Sequence, residues 1–351
     1  MSTRRRLLIN ATLSLAVAGV CIAYSVHDVD LDKAGAAIRA TSLATIGIYV
    51  ATLAVTHLFR AWRWEFLLRA LGTSLPFGRL LLISSVGFMA ILGLPFRLGE
   101  VVRPYYVARE GHSRMSTMLG AVAVERIIDG LLISLLFFCA TYASAGDAPS
   151  RELRFAAWLS LGAFLALTLF LVAAQIWTEA TIAFAMRMTF VRHLAPAHAH
   201  KVADKLRAII SGFHALRDHK NFALFLIQSV IYWGINGVGM WQLARGMGLP
   251  ISLGAAYTTM AFTGVMISLP NAPGLVGQFH AAIKLGLLAY LPAAIVNTRG
   301  IAYAILLHGI QAIWYVGTGL VSLLPLSRTG THTTLRQAVR ETTLGDEPPV
   351  T

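Results

Sequence analysis

Acidic residues and cysteines are both scarce in this sequence. Its 351 residues include 16 Asp and Glu against 29 Lys and Arg, and only two cysteines. Cys21 and Cys139 each lie inside an apolar block, so the sequence predicts neither a CxxC metal pair nor a disulfide framework. Charged residues make up 13% of the chain, against about 25% in an ordinary soluble domain. This scarcity of charge argues against a soluble fold.

Several motifs of catalysis and nucleotide binding are also missing. Without a GxxxxGK[ST] sequence, ATP is not expected to be the direct energy source. The sequence contains no HExxH, no GxSxG and no Cys/His zinc spacing, so we predict no metal, no cofactor and no enzyme of those classes. The histidines of the central basic loop are interpreted as solvated rather than ligating: His193, His198 and His200.

The net charge of +13 could suggest a nucleic-acid partner. The basic residues instead lie between apolar blocks, where the positive-inside rule and anionic lipid head groups place them. Nucleic acid is therefore not predicted as a partner, and membrane lipids are.

Hydrophobic residues, which make up 56% of the chain, come in continuous blocks. A helix needs about 20 residues to cross a bilayer, and the blocks lack the in/out alternation of a β-barrel. We therefore predict an all-α integral membrane protein, a polytopic bundle of about six full spans and two shorter hairpins. The predicted spans are Leu7–Val26, Leu43–Phe59, Met118–Ala143, Phe155–Trp177, Phe222–Leu243 and Ile301–Leu326. The shorter blocks are Leu80–Pro95, Leu253–Leu269 and Phe279–Leu291.

Loop charge predicts the topology. Arg4–Arg6 place the N-terminus in the cytoplasm, before an uncleaved first helix. Arginines lie on both sides of Leu80–Pro95, which predicts a hairpin that enters from the cytoplasm and turns near Pro95 and Gly99. A second hairpin, broken at residues 271–274, would enter from outside. Interrupted segments in corresponding positions of the two halves of a chain indicate a transporter site built on inverted repeats. The alternative is that each hairpin is two ordinary membrane crossings, which would leave its two ends on the same side of the membrane.

Residues 1–327 are predicted to form one transmembrane domain of the bacterial inner membrane. The basic loop 178–220 is predicted to be cytoplasmic and to contain an amphipathic helix, which lies either on the membrane surface or on the protein's own cytoplasmic face. Residues 328–351 are predicted to be a disordered cytoplasmic tail. The apolar positions of the amphipathic helix are Val202, Leu206, Ile209, Phe213 and Leu216.

Charged residues follow the first predicted turn. Arg97, Glu100 and Arg103 share one helix face at spacings of i, i+3 and i+6. Charges at membrane depth cost several kcal/mol unless they are paired or hydrated, which makes them candidates for function. One acid between two arginines leaves a positive excess suited to a phosphate or another anionic head group. The alternative is a topology signal with a salt bridge at a helix end.

Three more ionisable residues lie inside a predicted span. Glu125 and Asp129 are on one face at i, i+4, with Arg126 between them. Such residues need partners, and Arg97 or Arg103 is the expected one. The alternative is that this helix begins further along, with these residues in water.

The second turn contains Asn271, Pro273 and Gly274. Unwound backbone at membrane depth is tolerated where it lines a cavity. His280 and His308, after this turn, could relay protons or form helix–helix hydrogen bonds. The predicted substrate-binding residues are Arg97, Glu100, Arg103, Glu125, Arg126, Asp129, Asn271, Pro273 and Gly274. The supporting residues are Arg60, Arg63 and His280, of which the two arginines are otherwise interpreted as an interfacial anchor.

The order of these motifs resembles the transmembrane region of lysylphosphatidylglycerol synthases and the related stand-alone flippase-like membrane proteins. The resemblance runs over residues 5–326. It rests on Pro95-x-Arg97-x-Gly99-Glu100-x-x-Arg103, Glu125-Arg126-x-x-Asp129, Pro273-Gly274-x-x-Gly277 and Arg60-x-x-Arg63-Trp64. The family often has an acid after the second Pro-Gly turn, where this chain has Gln278-Phe279-His280, so a mechanism that needs a carboxylate there is in doubt.

The resemblance implies movement of a lipid between leaflets. The family's bifunctional members transfer lysine with a large cytoplasmic domain; only residues 327–351 follow the last predicted helix here, so that activity is not expected. Two alternatives stay open. The chain could be a non-catalytic partner of proteins in an envelope-lipid pathway. It could also be a lipid-modifying membrane enzyme that uses Glu100, Glu125 or Asp129 as an acid or base.

Overall fold

The regular structure of the described residues is entirely helical. The computed structural model describes residues 19–94, 99–143, 150–188, 199–268 and 273–328. Two predicted site residues, Arg97 and Asn271, lie outside these ranges. The same holds for Arg4–Arg6, for the turn residue Pro95 and for nearly all of the predicted tail.

The helices, in chain order, are α1 (described residues 19–26), α2 (Leu31–Arg39), α3 (Leu43–Ala70), α4 (Phe77–Gly93), α5 (Gly99–Glu110), α6 (Met115–Ala143), α7 (Arg151–Ile176), α8 (Thr178–Met188), α9 (Ala199–Ser211), α10 (His219–Gly246), α11 (Leu253–Ser268), α12 (Gln278–Leu288) and α13 (Ile301–Arg328). Short 3-10 turns occur at Gly212–Leu216 and Pro273–Leu275. A helical turn, Ala293–Ile295, and a π-helical segment, Val296–Gly300, lead directly into α13.

Within the described ranges, four helices are long and apolar enough to cross a membrane. They are α3, α7, α10 and the continuous helix Ala293–Leu326. Two shorter apolar helices, α4 and α11, coincide with predicted hairpin segments. Of the other two predicted spans, the first lies largely outside the described residues, and α6 is a helix of 29 residues that contains Glu125, Arg126 and Asp129.

Helix α3 is longer than the sequence predicted. The predicted span ended at Phe59, because the arginines that follow lower the hydropathy. No glycine or proline lies between Phe59 and Gly72, and the helix continues to Ala70. Ser42 begins it by accepting a hydrogen bond from the Thr45 amide at 3.1 Å. Arg60 and Arg63, which were predicted to lie at a helix end, are therefore inside α3.

Helices α3 and α10 pack against each other in antiparallel orientation. Gly246 of α10 lies against Thr45 of α3, and Gly239 lies against Thr52. Further along, the Arg63 side chain of α3 reaches Ser229 of α10. Small residues allow this close approach of the two backbones, as they do between membrane helices generally.

Helices α4 and α5 form a first antiparallel hairpin, hairpin 1. At its tip, Gly99 packs directly on the backbone of Ala90 and Ile91. At its base, Arg79 donates to both carboxylate oxygens of Glu110, at 2.6 and 2.7 Å. The two helices have 17 and 12 residues, so they rise about 25 and 18 Å, less than the bilayer's hydrocarbon core of about 30 Å.

Helices α11 and α12 form hairpin 2. Near its tip, Gln278 donates to the Met266 carbonyl at 2.7 Å; near its base, Tyr290 donates to the Thr258 hydroxyl at 3.0 Å. Hairpin 1 follows the C-terminal end of α3, and hairpin 2 follows the C-terminal end of α10. Since α3 and α10 are antiparallel, the bases of the two hairpins lie at opposite ends of this helix pair. Their tips meet, because α4 contacts the Pro273–Leu275 turn.

The packing at the tip of hairpin 1 leads to a prediction. An added Cβ at Gly99 would overlap the backbone of Ala90 and Ile91, whereas one at Gly93 would meet no atom within 4 Å. We therefore expect Gly99→Ala to destabilise the protein by about 1–3 kcal/mol, because backbone atoms would have to move. Gly93→Ala is the matched control and should be neutral or slightly stabilising. Thermal unfolding in detergent measures both; equal melting temperatures would contradict the packing.

A buried lysine connects hairpin 2 to α1. The Lys284 ammonium donates to the carbonyls of Tyr24, Ser25 and His27, at 3.2, 3.4 and 2.8 Å. These carbonyls end α1 and lack partners within the helix, and a cation there also interacts favourably with the helix dipole. The Ser25 hydroxyl adds a hydrogen bond to the Gly277 carbonyl at 3.3 Å. Hairpin 2 thus caps the first helix.

The predicted amphipathic helix corresponds to α9 and the 3-10 turn after it. Ser211 bonds to Thr117 of α6 at 3.0 Å, and Phe213 is buried. On the exposed side, Arg207 donates to Glu179 of α8 at 2.8 and 2.9 Å, which lowers the pKa of that carboxyl. Of the two alternatives for this helix, these contacts match packing on the protein's own surface.

Candidate functional site

Arg63 of α3 lies at the centre of a buried group of charged side chains. Its Nη2 atom donates to Glu125 at 2.8 Å and to Asp129 at 2.7 Å, and its Nη1 atom donates to Asp129 and, at 3.0 Å, to Ser229. Its side chain is fully buried. One guanidinium therefore joins both acids of α6 to α10.

Two further arginines complete what we call the ion network: Arg63, Arg103, Arg126, Glu125 and Asp129. Arg103 of α5 pairs with Glu125 and stacks over the Trp64 ring at 4.0 Å. Arg126 lies 2.9 Å from Glu125 and 3.3 Å from Asp129. The network thus connects α3, hairpin 1, α6 and α10.

The burial of the network explains why each acid needs several partners. Removing charges from water costs several kcal/mol per ion, which is offset only by good geometry and additional hydrogen bonds. Glu125 contacts three arginines; Asp129 contacts two and also accepts the Trp233 indole N–H at 3.1 Å. These carboxylates are held by partners and are not exposed to a ligand as free acids.

The expected partner assignment is confirmed for one of the two arginines, and Arg63 and Arg126 are further partners that it did not include. Arg103 does pair with Glu125, whereas Arg97 lies outside the described residues. The interpretation of Arg63 as an interfacial anchor is incorrect, because its side chain is buried between α3, α6 and α10. Loop-charge counting placed it at the surface because that rule treats every arginine near a block's end as exposed.

A cavity of about 380 Å³ lies beside the ion network, between the two hairpin tips. Hairpin 1 contributes Ile91 and Leu92, and hairpin 2 contributes Ile267, Leu275 and Phe279. The charged residues that line it are Arg60, Arg126 and Asp129. A cavity with mostly apolar walls and a few polar groups directed into it is typical of ligand sites.

Arg60 and Arg126 supply the positive charge of this cavity. The Arg60 guanidinium lies 3.9 Å above the Phe88 ring and interacts with Tyr315. No carboxylate in the described part of the chain lies within ion-pair distance of Arg60, and its buried Nε has no hydrogen-bond partner there. The Arg126 side chain is 30% exposed, although it also contacts both acids. The cavity therefore has an excess of positive charge.

The other predicted site residues lie in three places around the cavity. Arg103 and Glu125 lie behind the cavity wall, and Glu100 is close enough to Arg126 to interact electrostatically. The backbone of Pro273 and Gly274 forms the tip of hairpin 2, where Gly274 has φ of +74°. His280 lies next to His308, with ring centroids 4.9 Å apart; His308 lines the cavity and interacts with the Gly274 backbone.

Sequence reasoning missed the contribution of α10. Ser229 contacts Arg63, and Trp233 and Asn236 line the cavity. Their spacing of i, i+4 and i+7 places them on one helix face, a polar stripe in an otherwise apolar span. That stripe was the available signal. Within the described ranges, no group of three His, Cys, Asp or Glu side chains could hold a metal ion.

Comparisons with known proteins agree with the predicted family. Residues 11–319 match the family model described as the lysylphosphatidylglycerol synthase TM region. A curated relative, "Glycosyltransferase AglD" of Haloferax volcanii, is 24% identical over 354 residues, which cover 92% of this chain and 55% of that protein. The chain thus spans about half the length of the curated relative it matches. No solved structure matches it.

Proposed function

We propose that this multi-pass integral membrane protein, which belongs to the family of the lysylphosphatidylglycerol synthase transmembrane region, is a lipid transporter. It would move a lipid with an anionic head group between the leaflets of the bacterial inner membrane. The observation that carries this proposal is the cavity between the hairpin tips, with Arg60 and Arg126 in its wall. Guanidinium groups match phosphate oxygens in planar, bidentate geometry.

The hairpins suggest how a head group would pass. Each is too short to cross the hydrocarbon core, and their bases lie at opposite ends of the α3–α10 pair, as in transporters built from inverted repeats. Displacing hairpin 1 would open the cavity toward one membrane surface, and displacing hairpin 2 would open it toward the other. The head group would cross through the cavity while its acyl chains stay in lipid.

The ion network has a supporting role in this proposal. It holds α3, α6 and α10 together and fixes the Arg126 guanidinium beside the cavity, and its Arg103–Glu125 pair would hold hairpin 1 in the closed position until that hairpin is displaced. By the loop charges, the base of hairpin 1 and both termini face the cytoplasm. The partners would be membrane lipids and proteins of a lipid biosynthesis pathway, without direct use of ATP or nucleic acid.

A membrane enzyme of lipid modification is the second candidate, because the curated relative is named a glycosyltransferase. The geometry supports it less. Glu125 and Asp129, two of its three proposed acid–base groups, are engaged by arginines. A carboxylate held by several cations is a poor general base, since its charged form is strongly stabilised.

The test is a leaflet-resolved assay in reconstituted vesicles. Fluorescent phosphatidylglycerol is placed in both leaflets, and a membrane-impermeant quencher reports the fraction that reaches the outer one. We expect faster and more complete quenching than in protein-free vesicles, with fluorescent phosphatidylcholine moved more slowly and with lipid masses unchanged. Quenching equal to that of empty vesicles would contradict the proposal; a changed lipid mass would favour the enzyme.

A further inference from the structure

The cavity is elongated along α13. Tyr315 and His308 both line it, and Tyr315 interacts with Arg60 at the cationic end. The positions of the two residues along the helix differ by a rise of about 10 Å. The cavity therefore extends well beyond the volume that a phosphate bound by Arg60 and Arg126 would fill.

The far end contains polar side chains whose hydrogen-bonding capacity is not fully used within the described ranges. His308 is only 8% exposed, and its Nε2 atom has no hydrogen-bond partner among the described groups. The Asn236 side chain also lines the cavity and makes no hydrogen bond to any residue in the described ranges. A buried polar atom that lacks a partner costs free energy, which a ligand able to hydrogen-bond with it would recover.

The chemistry of these groups distinguishes between head groups. Asp129 is the carboxylate that lines the cavity, and it already contacts Arg63, Arg126 and Trp233. An ammonium head group would therefore lack a free acid to pair with. Hydroxyl groups, in contrast, both donate and accept, so they match an amide and an imidazole.

An aromatic wall lies between the two ends. The Trp233 ring lines the cavity while its N–H is directed to Asp129, so the indole is fixed in orientation. A fixed, partly exposed indole offers an apolar face with a negative electrostatic surface. The C–H face of a pyranose ring can lie flat on such a surface.

From this arrangement we infer that the cavity binds a lipid whose phosphate carries a sugar, that is, a glycosyl phosphate head group. The phosphate would lie at Arg60 and Arg126, and the sugar hydroxyls would bond to Asn236 and His308. This inference rests on the proposed function and names its substrate class. A cavity of about 380 Å³ lies within the range of about 300–1,000 Å³ typical of sites for small organic ligands.

Calorimetric titration of the purified full-length protein in detergent tests it with three matched probes. These are a short-chain alkyl glucosyl phosphate, the corresponding alkyl methyl phosphate, which is a diester of the same charge without the sugar, and the corresponding alkyl phosphoethanolamine. We expect the glucosyl phosphate to bind about tenfold more tightly than the methyl phosphate, with the phosphoethanolamine weakest. Asn236→Ala should reduce this ratio about three- to tenfold. Gln242→Ala, on the same helix outside the cavity lining, should keep it.

The outcomes separate the inference from the function on which it rests. A preference for the sugar that Asn236→Ala removes supports the inference. Equal binding of the first two probes, or tightest binding of the phosphoethanolamine, would overturn it. A preference that persists unchanged in Asn236→Ala would also overturn the assignment of the sugar end. Binding of none of the probes would count against the anionic head-group site itself, and hence against the proposed function.

Discussion

Asp129→Asn is expected to destabilise the protein by about 3–5 kcal/mol, because it removes one side of a buried ion pair. Asp129 accepts two hydrogen bonds from Arg63 and one from Trp233, and its side chain is almost fully buried. Without this carboxylate, Arg63, Arg103 and Arg126 would share a single acid, Glu125. Thermal unfolding and the yield of monodisperse protein in detergent measure the loss.

Two controls give this prediction its meaning. Asp204→Asn removes an exposed acid that pairs with Arg207, so it should cost less than about 1 kcal/mol. The double variant Arg63→Met, Asp129→Asn removes one charge of each sign and should be more stable than Asp129→Asn alone. A single variant as stable as the wild type would show that Asp129 faces water and that the ion network is described incorrectly.

Arg60→Lys with Arg126→Lys is expected to slow lipid movement by about 10–100-fold while the protein remains folded. Lysine keeps the positive charge but loses the planar pair of donors that matches two phosphate oxygens. Both arginines line the cavity, and Arg60 has no acidic partner in the described ranges that the substitution would disturb. The fluorescence-quenching assay measures the effect.

Arg207→Lys is the matched control, since Arg207 is an exposed arginine with two acidic partners outside the cavity. Transport by this variant should equal that of the wild type. The melting temperature of the double variant separates a lost head-group contact from a damaged fold. Full transport by a stable Arg60→Lys, Arg126→Lys protein would exclude a guanidinium clamp on the head group.

Much of the helical arrangement could be predicted from the sequence. Loop arginines on both sides of Leu80–Pro95 indicated a chain reversal, and α4 and α5 do form a hairpin closed by Arg79 and Glu110. The i, i+4 spacing of Glu125 and Asp129 predicted that both acids would need cationic partners, and Arg63, Arg103 and Arg126 provide them. These inferences depend on helix period and burial cost, which a sequence carries locally.

The composition of the cavity wall depends on contacts between distant helices, and local patterns did not reveal it. Arg60 and Arg63 occur within one turn of α3, yet Arg63 is buried against α6 and α10 while Arg60 faces the cavity. Their sequence neighbourhood is nearly identical, so only the rotation of α3 against its partners decides between the two environments. The polar stripe of α10 was a local signal, but it did not show that Asn236 lines a cavity, because that position comes from the packing of α10 beside hairpin 2.

The contact of Lys284 with the end of α1 has a consequence for the order in which the helices assemble during synthesis. Lys284 follows Tyr24 by 260 positions and His27 by 257. At about 5–20 residues per second, a ribosome would take roughly 13–50 s to reach this lysine after completing α1. Throughout that interval the end of α1 must find other donors, such as water or lipid head groups. In a nascent chain halted before residue 284, α1 should therefore lack this contact to hairpin 2 and pack less stably against the other helices. The contact would form only when hairpin 2 has been synthesised.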